Sequence, residues 1–415
     1  MRTLGSTFHS LLRHATVAAI AVSGLSLCAE DSPHPLIASI EKTVLRRGGE
    51  AGSPTWFHPR ACRIPGGDGQ SATAFMTLQP IMGSDFFGPV HWMTSSDLGS
   101  TWTDPRPIPT LGRIKQPDGI EEGICDVVPD WHPATQTVLA LGHNVFYSGE
   151  RFSPDQPPRW PVYAVWRDGR WGPRRRLEWN DPRGAYLYSN GCGERVTLPG
   201  GDILLAFYFA EAKNQRRSVC GVRCAFDGET LTVGQIGETI EHAEGRGLME
   251  PSLIRFGEKV FITLRAEDER AYVCVSDDGM KWSPKKAWAY DDGTPLVTST
   301  TQQHWLAHSD ALFLVYTRKD VSNTGLFRWR APLWMAQVDP VNLRLIRATE
   351  RVVLPIAGDA ANDPKNTGLM GNFHVTAISP EETWITEGDI RPQVGYKGDL
   401  LLARIRWTRP NTLVK

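Results

Sequence analysis

Short apolar stretches recur six times along the chain, each followed by a second β-rich run. The first members are SATAFMTL (residues 71–78), QTVLALG (136–142), DILLAFYF (202–209), VFITLR (260–265), ALFLVYT (311–317) and HVTAIS (374–379). Their partners are PVHWMT, PVYAVWR, SVCGVRCAF, AYVCVS, PLWMAQV and LLLARIRW. Helical periodicity is weak between them, so the pairs predict antiparallel strands. Recurrence at roughly 50–70 residues points to a repeat architecture rather than a two-sheet sandwich. The economical solution is an all-β, six-bladed β-propeller of four-stranded antiparallel blades. The early run at residues 36–45 is expected to complete the last blade and close the ring.

The segment from 250 to 282 carries the densest information. Two apolar runs flank the charged turn AEDER, which predicts a hairpin with Glu250 just before its first strand and Arg265 at that strand's end. A turn of the form Asp-x-Gly-x-x-Trp follows, built from Asp277, Gly279 and Trp282, and a second copy lies upstream in SSDLGSTW, residues 95–102. In such a turn the carboxylate accepts backbone N–H groups, the glycine permits a positive φ, and the Trp ring packs between strands. These residues are read as staples of the blades.

Composition narrows the function. Forty-five Lys and Arg against 46 Asp and Glu give a formal charge of −1, so a nucleic-acid partner is not expected. Charge-based recognition must then be local. Residues 1–29 combine Arg2 and Arg13, an apolar run over 15–27 and a small residue at Ala29, the layout of a signal peptide. Export to a periplasmic or extracellular location is expected. Lipid attachment at Cys28 is the alternative, less well matched because Leu27 stands where a small residue belongs. No later apolar run reaches about 18 residues, so no membrane span is expected. Residues 30–415 show no composition break and read as a single domain, expected to be monomeric.

Six cysteines remain beyond the leader: Cys62, Cys125, Cys192, Cys220, Cys224 and Cys274. They are too few for a disulfide scaffold in so long a chain. Cys220-x-x-x-Cys224 falls on one face of a strand with no second pair following, and His304-x-x-x-His308 lacks a third ligand. Neither metal nor cofactor is expected.

Arg63-Ile64-Pro65, the turn at 95–102, and Glu250 with Arg265 ahead of the second turn together resemble the sialidases (neuraminidases), whose Asp-box propellers carry an Arg-Ile-Pro motif. In the second turn Val275 stands where that family usually has Ser. The resemblance covers residues 43–407. It implies that Arg63 and Arg265 belong to an arginine triad holding a substrate carboxylate. Arg330 is the first choice for the third member, with Arg328 and Arg318 behind it. It also implies that Asp85 is the acid/base and Glu387 the glutamate buttressing the first arginine. Physics agrees with such a grouping. Two guanidinium groups about 6 Å apart repel by about 3 kcal/mol at an effective dielectric near 20, so converging arginines require an anion. Each charge-assisted bond to a carboxylate returns roughly 1.5–3 kcal/mol.

One position departs from the resemblance. The family's tyrosine nucleophile, activated by the glutamate that Glu250 resembles, corresponds to Phe373 in GNFHV. Three ways forward follow: another tyrosine such as Tyr188 or Tyr316, an Asp85–Glu250 carboxylate pair, with or without acid/base help from His374, or binding without cleavage. The expected activity is sialidase-like exo-glycosidase hydrolysis of a bond to an acidic sugar, on an acidic glycan or glycoconjugate. A non-catalytic carbohydrate-binding propeller, or a hydrolase or lyase of uronic-acid glycans, is the alternative.

Overall fold

The structure is a computed structural model and describes residues 34–49, 52–67 and 71–414. The expected leader and Cys28 lie outside the described residues. The chain forms six antiparallel sheets of about four strands each, arranged as a six-bladed propeller. Blade 1 runs Trp56–Ile64, Thr73–Gly83, His91–Ser95 and Arg106–Pro107 from inside to outside. The inner strands of blades 2, 4, 5 and 6 are Glu121–His132, Met249–Phe256, His304–His308 and His374–Ser379. That of blade 3 is split into Leu187–Ser189 and Val196–Thr197. Strand Ile37–Arg46 pairs antiparallel with Leu400–Trp407 and completes blade 6, so the two ends of the domain close the ring.

The ring holds because each blade buries a face against the next. Blades 2 and 3 share Leu139, Tyr163, Leu205 and Phe207; blades 3 and 4 share Leu204, Leu253 and Ile262; blades 4 and 5 share Phe261, Trp305 and Leu314. Phe313 and Phe373 join blades 5 and 6, Ala74 and Trp384 join blades 6 and 1, and Phe75 and Val138 join blades 1 and 2. Each large apolar side chain so buried contributes about 1.5–3 kcal/mol. Cys220 and Cys224 belong to the core between blades 2 and 3, and all six described cysteines are buried free thiols. No helix among the described residues is long and apolar enough to cross a membrane.

Five of the six paired stretches are the second and third strands of their blades. In the sixth, residues 374–379 form the inner strand, and the second strand is Glu382–Gly388.

The two turns join neighbouring blades. In the first, Asp97 accepts from the Thr101 hydroxyl at 2.6 Å and the Thr101 N–H at 2.8 Å, and these bonds hold its carboxyl at about 2. Gly99 has φ 79°, and a Cβ there would lie 2.8 Å from Trp384 of blade 6. In the second, Gly279 has φ 75°, and a Cβ would meet Leu204 of blade 3 at 2.4 Å. Here the carboxylate is Asp278, not Asp277 as spacing from Trp282 suggests. Asp278 accepts from the N–H groups of Met280 and Lys281 at 2.8 and 3.1 Å, and Ser276 Oγ accepts from Gly279 at 2.8 Å. The turn starts one residue later because Ser276, not Val275, supplies the hydroxyl. Asp277 instead pairs with Lys259 at the surface.

Candidate functional site

Three inner strands lose their register at the same level. The irregularities fall between Phe57 and Arg60, between Cys125 and Val128, and between Met249 and Ser252. Within each sits a residue of positive φ: His58 at 51°, Asp126 at 53° and Glu250 at 43°. A bulge of this kind re-aims a side chain, and all three line one cavity of about 990 Å³. Asp85, Asn214, Arg328 and Tyr396 share both properties, so seven of the thirteen non-glycine residues with positive φ among those described line this cavity. Each such conformation costs roughly 1–3 kcal/mol, and strain concentrated in one place marks a site.

The cavity is cationic in a nearly neutral protein. Arg159, Lys213, Arg216, Arg217, Arg246, Arg265, Arg328, Arg330 and Lys365 line it, against three carboxylates: Asp85, Asp126 and Glu250. Arg265, 8 % exposed, donates from Nη1 to Glu250 Oε1 at 2.5 Å and from Nε to Thr300 Oγ1 at 3.2 Å. Burial opposes the Arg265 charge, and Glu250 outweighs it. Arg330 differs. It forms no salt bridge among the described residues, and its buried Nε has no hydrogen-bond partner. Burial, then the charges of Arg265 and Arg328, pull it down to about 10. Arg328 is lowered by burial and by Arg265 and Arg246. Like charges held together this way favour an anionic ligand.

Asp126 is already balanced. Burial would raise its carboxyl, but His58, Arg60 and His143 hold it at about 2. Its Oδ1 lies 3.0 Å from Arg60 Nη2 and 3.4 Å from His58 Nε2.

Of the residues singled out in the sequence, Asp85, Glu250, Arg265 and Arg330 line the cavity together. Asp85 is exposed on the turn between Thr73–Gly83 and Phe86–Phe87. Arg63 is not among them. It sits opposite Ala74, five residues beyond His58, or roughly 16 Å further along the strand at 3.3 Å per residue. Glu387 is also not brought to the cavity. It is buried and accepts the N–H groups of Gly371, Asn372 and Gly388 at 2.7, 3.1 and 2.9 Å. Burial raises its carboxyl to about 7, against the opposing charge of Arg60, and Glu387 in turn acts electrostatically on Arg330. Arg318 is committed to Glu350 at 2.7 Å and to Asp320 at 3.0 Å.

The candidate nucleophiles sort by burial. The Phe373 ring lies in the core between blades 5 and 6, and its carbonyl accepts from Arg60 and Gln302. Tyr188 donates to the Leu177 carbonyl at 2.9 Å and Tyr316 to Glu350 at 2.6 Å, both inside blade cores. His374 is buried, and burial then Arg60 push it well below the ordinary imidazole value. His304 and His308 lie on a strand and bond different groups, Ser252 Oγ and the Arg409 carbonyl. Tyrosines that do line the cavity are Tyr186, Tyr208 and Tyr396. Gly191 sits beside two of the cavity's groups: a Cβ there would lie 3.2 Å from the Tyr208 ring, a tight contact, and 3.6 Å from Glu250 Cγ, an ordinary one. Tyr208 thus approaches Glu250 from blade 3. It lies two residues before the end of the strand Ile203–Ala210, and no spacing in the sequence ties it to Glu250.

No protein-family model and no curated protein matches the chain. Solved structures match its fold. A Dyadobacter fermentans protein of unknown function is 14% identical with a TM-score of 0.61, covering 89% of this chain and 100% of its own. The Trypanosoma rangeli sialidase is 13% identical with a TM-score of 0.60 over 88% of this chain, which spans 59% of the sialidase. A Hadza microbial sialidase, Hz136, is 13% identical with a TM-score of 0.61, covering 88% of this chain and 68% of its own. At these identities the likeness shows a sialidase-like propeller fold.

Proposed function

We propose that the chain is a sialidase-like exo-glycosidase that holds the carboxylate of an acidic sugar with Arg330 and Arg265 and cleaves its glycosidic bond. The observation that carries this reading is Arg330: a guanidinium without a salt bridge among the described residues, beside Arg265 and Arg328, on the wall of a large cavity. A planar carboxylate suits the guanidinium fork and offsets the repulsion among the three. Asp85 protonates the leaving oxygen. Glu250 is the second carboxylate, and either activates water or takes the proton of the Tyr208 phenol. Arg63 and Glu387 take no part in this scheme, since neither reaches the cavity. The acidic glycan or glycoconjugate enters as a monomeric, exported protein would meet it.

A second reading, a carbohydrate-binding propeller without turnover, draws support from Phe373, whose ring is in the core and carries no hydroxyl. Release of sugar from a panel of sialosides and uronate-containing glycans separates the two. Turnover by the wild type, lost in Asp85→Asn with binding retained, supports the enzyme. Equal inertness of both proteins, with both still binding an acidic glycan, leaves the binding propeller.

A further inference from the structure

The cavity floor on blade 2 carries a group of side chains that the proposed hydrolysis does not use. Cys125 on the inner strand and His143 on the second strand are direct register partners. Cys125 Sγ lies 3.3 Å from His143 Nε2 and 4.0 Å from Asp126 Oδ2, and the donor atoms of all three lie within 4.8 Å of one another. All three line the cavity. Cys125 is 3 % and His143 5 % exposed, and the Nδ1 of that buried imidazole has no hydrogen-bond partner among the described residues.

We propose that Cys125, Asp126 and His143 form a binding site for a late first-row divalent cation, with Zn²⁺ the expected occupant. The donor set is one thiolate, one imidazole and one carboxylate, a combination that suits zinc and open three-ligand sites. Zn–S near 2.3 Å and Zn–N near 2.0–2.1 Å at a tetrahedral angle place sulfur and nitrogen about 3.5 Å apart. The observed 3.3 Å is close to that edge, and a modest turn of the Asp126 carboxylate closes the others. Arg60 and His58 engage Oδ1 of Asp126 and leave Oδ2 directed toward Cys125, so the carboxylate is oriented from behind. Coordination releases the thiol proton to solvent, and a divalent ion is then neutralised by the thiolate and the carboxylate. That neutrality answers the cationic surroundings, which would repel an unbalanced cation. The fourth position faces the cavity, where a water or a sugar oxygen would bind.

The sequence hides this group because His143 meets Cys125 only through strand pairing. The proposal does not depend on turnover. Chelator-treated protein titrated with Co²⁺ and Zn²⁺ tests it. One equivalent of Co²⁺ should give a thiolate-to-metal charge-transfer band and tetrahedral visible bands, and Zn²⁺ should abolish both. Cys125→Ser should remove the charge-transfer band. His143→Gln should weaken binding by more than the roughly 10–100-fold cost of losing an outer-shell partner. Zn²⁺ should also protect the Cys125 peptide from alkylation in the unmodified protein, which decides the matter should either variant fail to fold. Absence of stoichiometric binding to the wild type, binding unchanged in both variants, or no protection of Cys125 would overturn the proposal.

Discussion

Glu250 Oε1 lies 2.5 Å from Arg265 Nη1, and the two residues come from the first two strands of blade 4. This pairing divides labour among the arginines. Arg265 already has an anion, whereas Arg330, close enough to feel its charge, has no salt bridge among the described residues. On the proposed function, the ligand carboxylate would therefore engage Arg330 first. Glu250 keeps Arg265 oriented while standing at the cavity wall.

Arg330→Met should weaken binding of a sugar acid by about 1.5–3 kcal/mol, roughly 10- to 150-fold in Kd. The melting temperature should stay the same or rise, because the substitution removes a partly buried charge beside Arg265 and Arg328. Calorimetric titration and thermal unfolding of one preparation check both halves. Arg63→Ala, by contrast, should leave the affinity for the sugar acid unchanged.

Asp85→Asn should lower kcat by roughly 10²- to 10⁴-fold, the usual contribution of a positioned acid, with little change in binding. Single-turnover kinetics on an activated aryl glycoside separates the two quantities.

Glu194, only slightly exposed, predicts a pH dependence of stability. It accepts from the Trp305 N–H at 2.8 Å and Ser252 Oγ at 2.9 Å, and burial pushes its carboxyl from 4.5 to about 8. The folded state thus holds this proton more tightly than the unfolded state. The associated stability is complete below about 4.5 and is lost as pH rises toward 8. The unfolding free energy of the wild type, from urea titrations, should fall across this window relative to Glu194→Gln, by on the order of a few kcal/mol in total.

The second turn predicts a contrast between adjacent aspartates. Asp278→Ala removes the acceptor of two backbone N–H groups and should cost about 1–2 kcal/mol. Asp277→Ala removes an exposed ion pair with Lys259 and should cost less than about 1 kcal/mol. Urea denaturation of both variants decides whether Asp278 is the turn's carboxylate.

The parts of the fold legible in the sequence were the second and third strands, because both of their faces are buried between blades, as in Ala311–Tyr316. Closure by the N-terminal strand was legible from the early β-like run itself, although Ile37–Arg46 is an outer strand with no buried residue. Apart from His374–Ser379 of blade 6, the inner strands were not. They present polar groups such as Arg60, Asp126 and His304 to the interior of the ring, and bulges at His58, Asp126 and Glu250 break their alternation. Arg63 shows the consequence. Its motif drew attention to the far part of the strand, while the bulge that reaches the cavity lies at His58. Glu250, Arg265, Asp85 and Arg330 were legible through motif and order along the chain. Arg159 and Arg217 lie just before strands and Tyr208 lies within one, and their convergence exists only in three dimensions.

The most direct test compares the affinity of the wild type for a sugar acid with that for the methyl ester of the same sugar. The account predicts that the acid binds, that the ester binds at least tenfold more weakly, and that Arg330→Met erases the difference. Equal affinity for acid and ester in the wild type would contradict it.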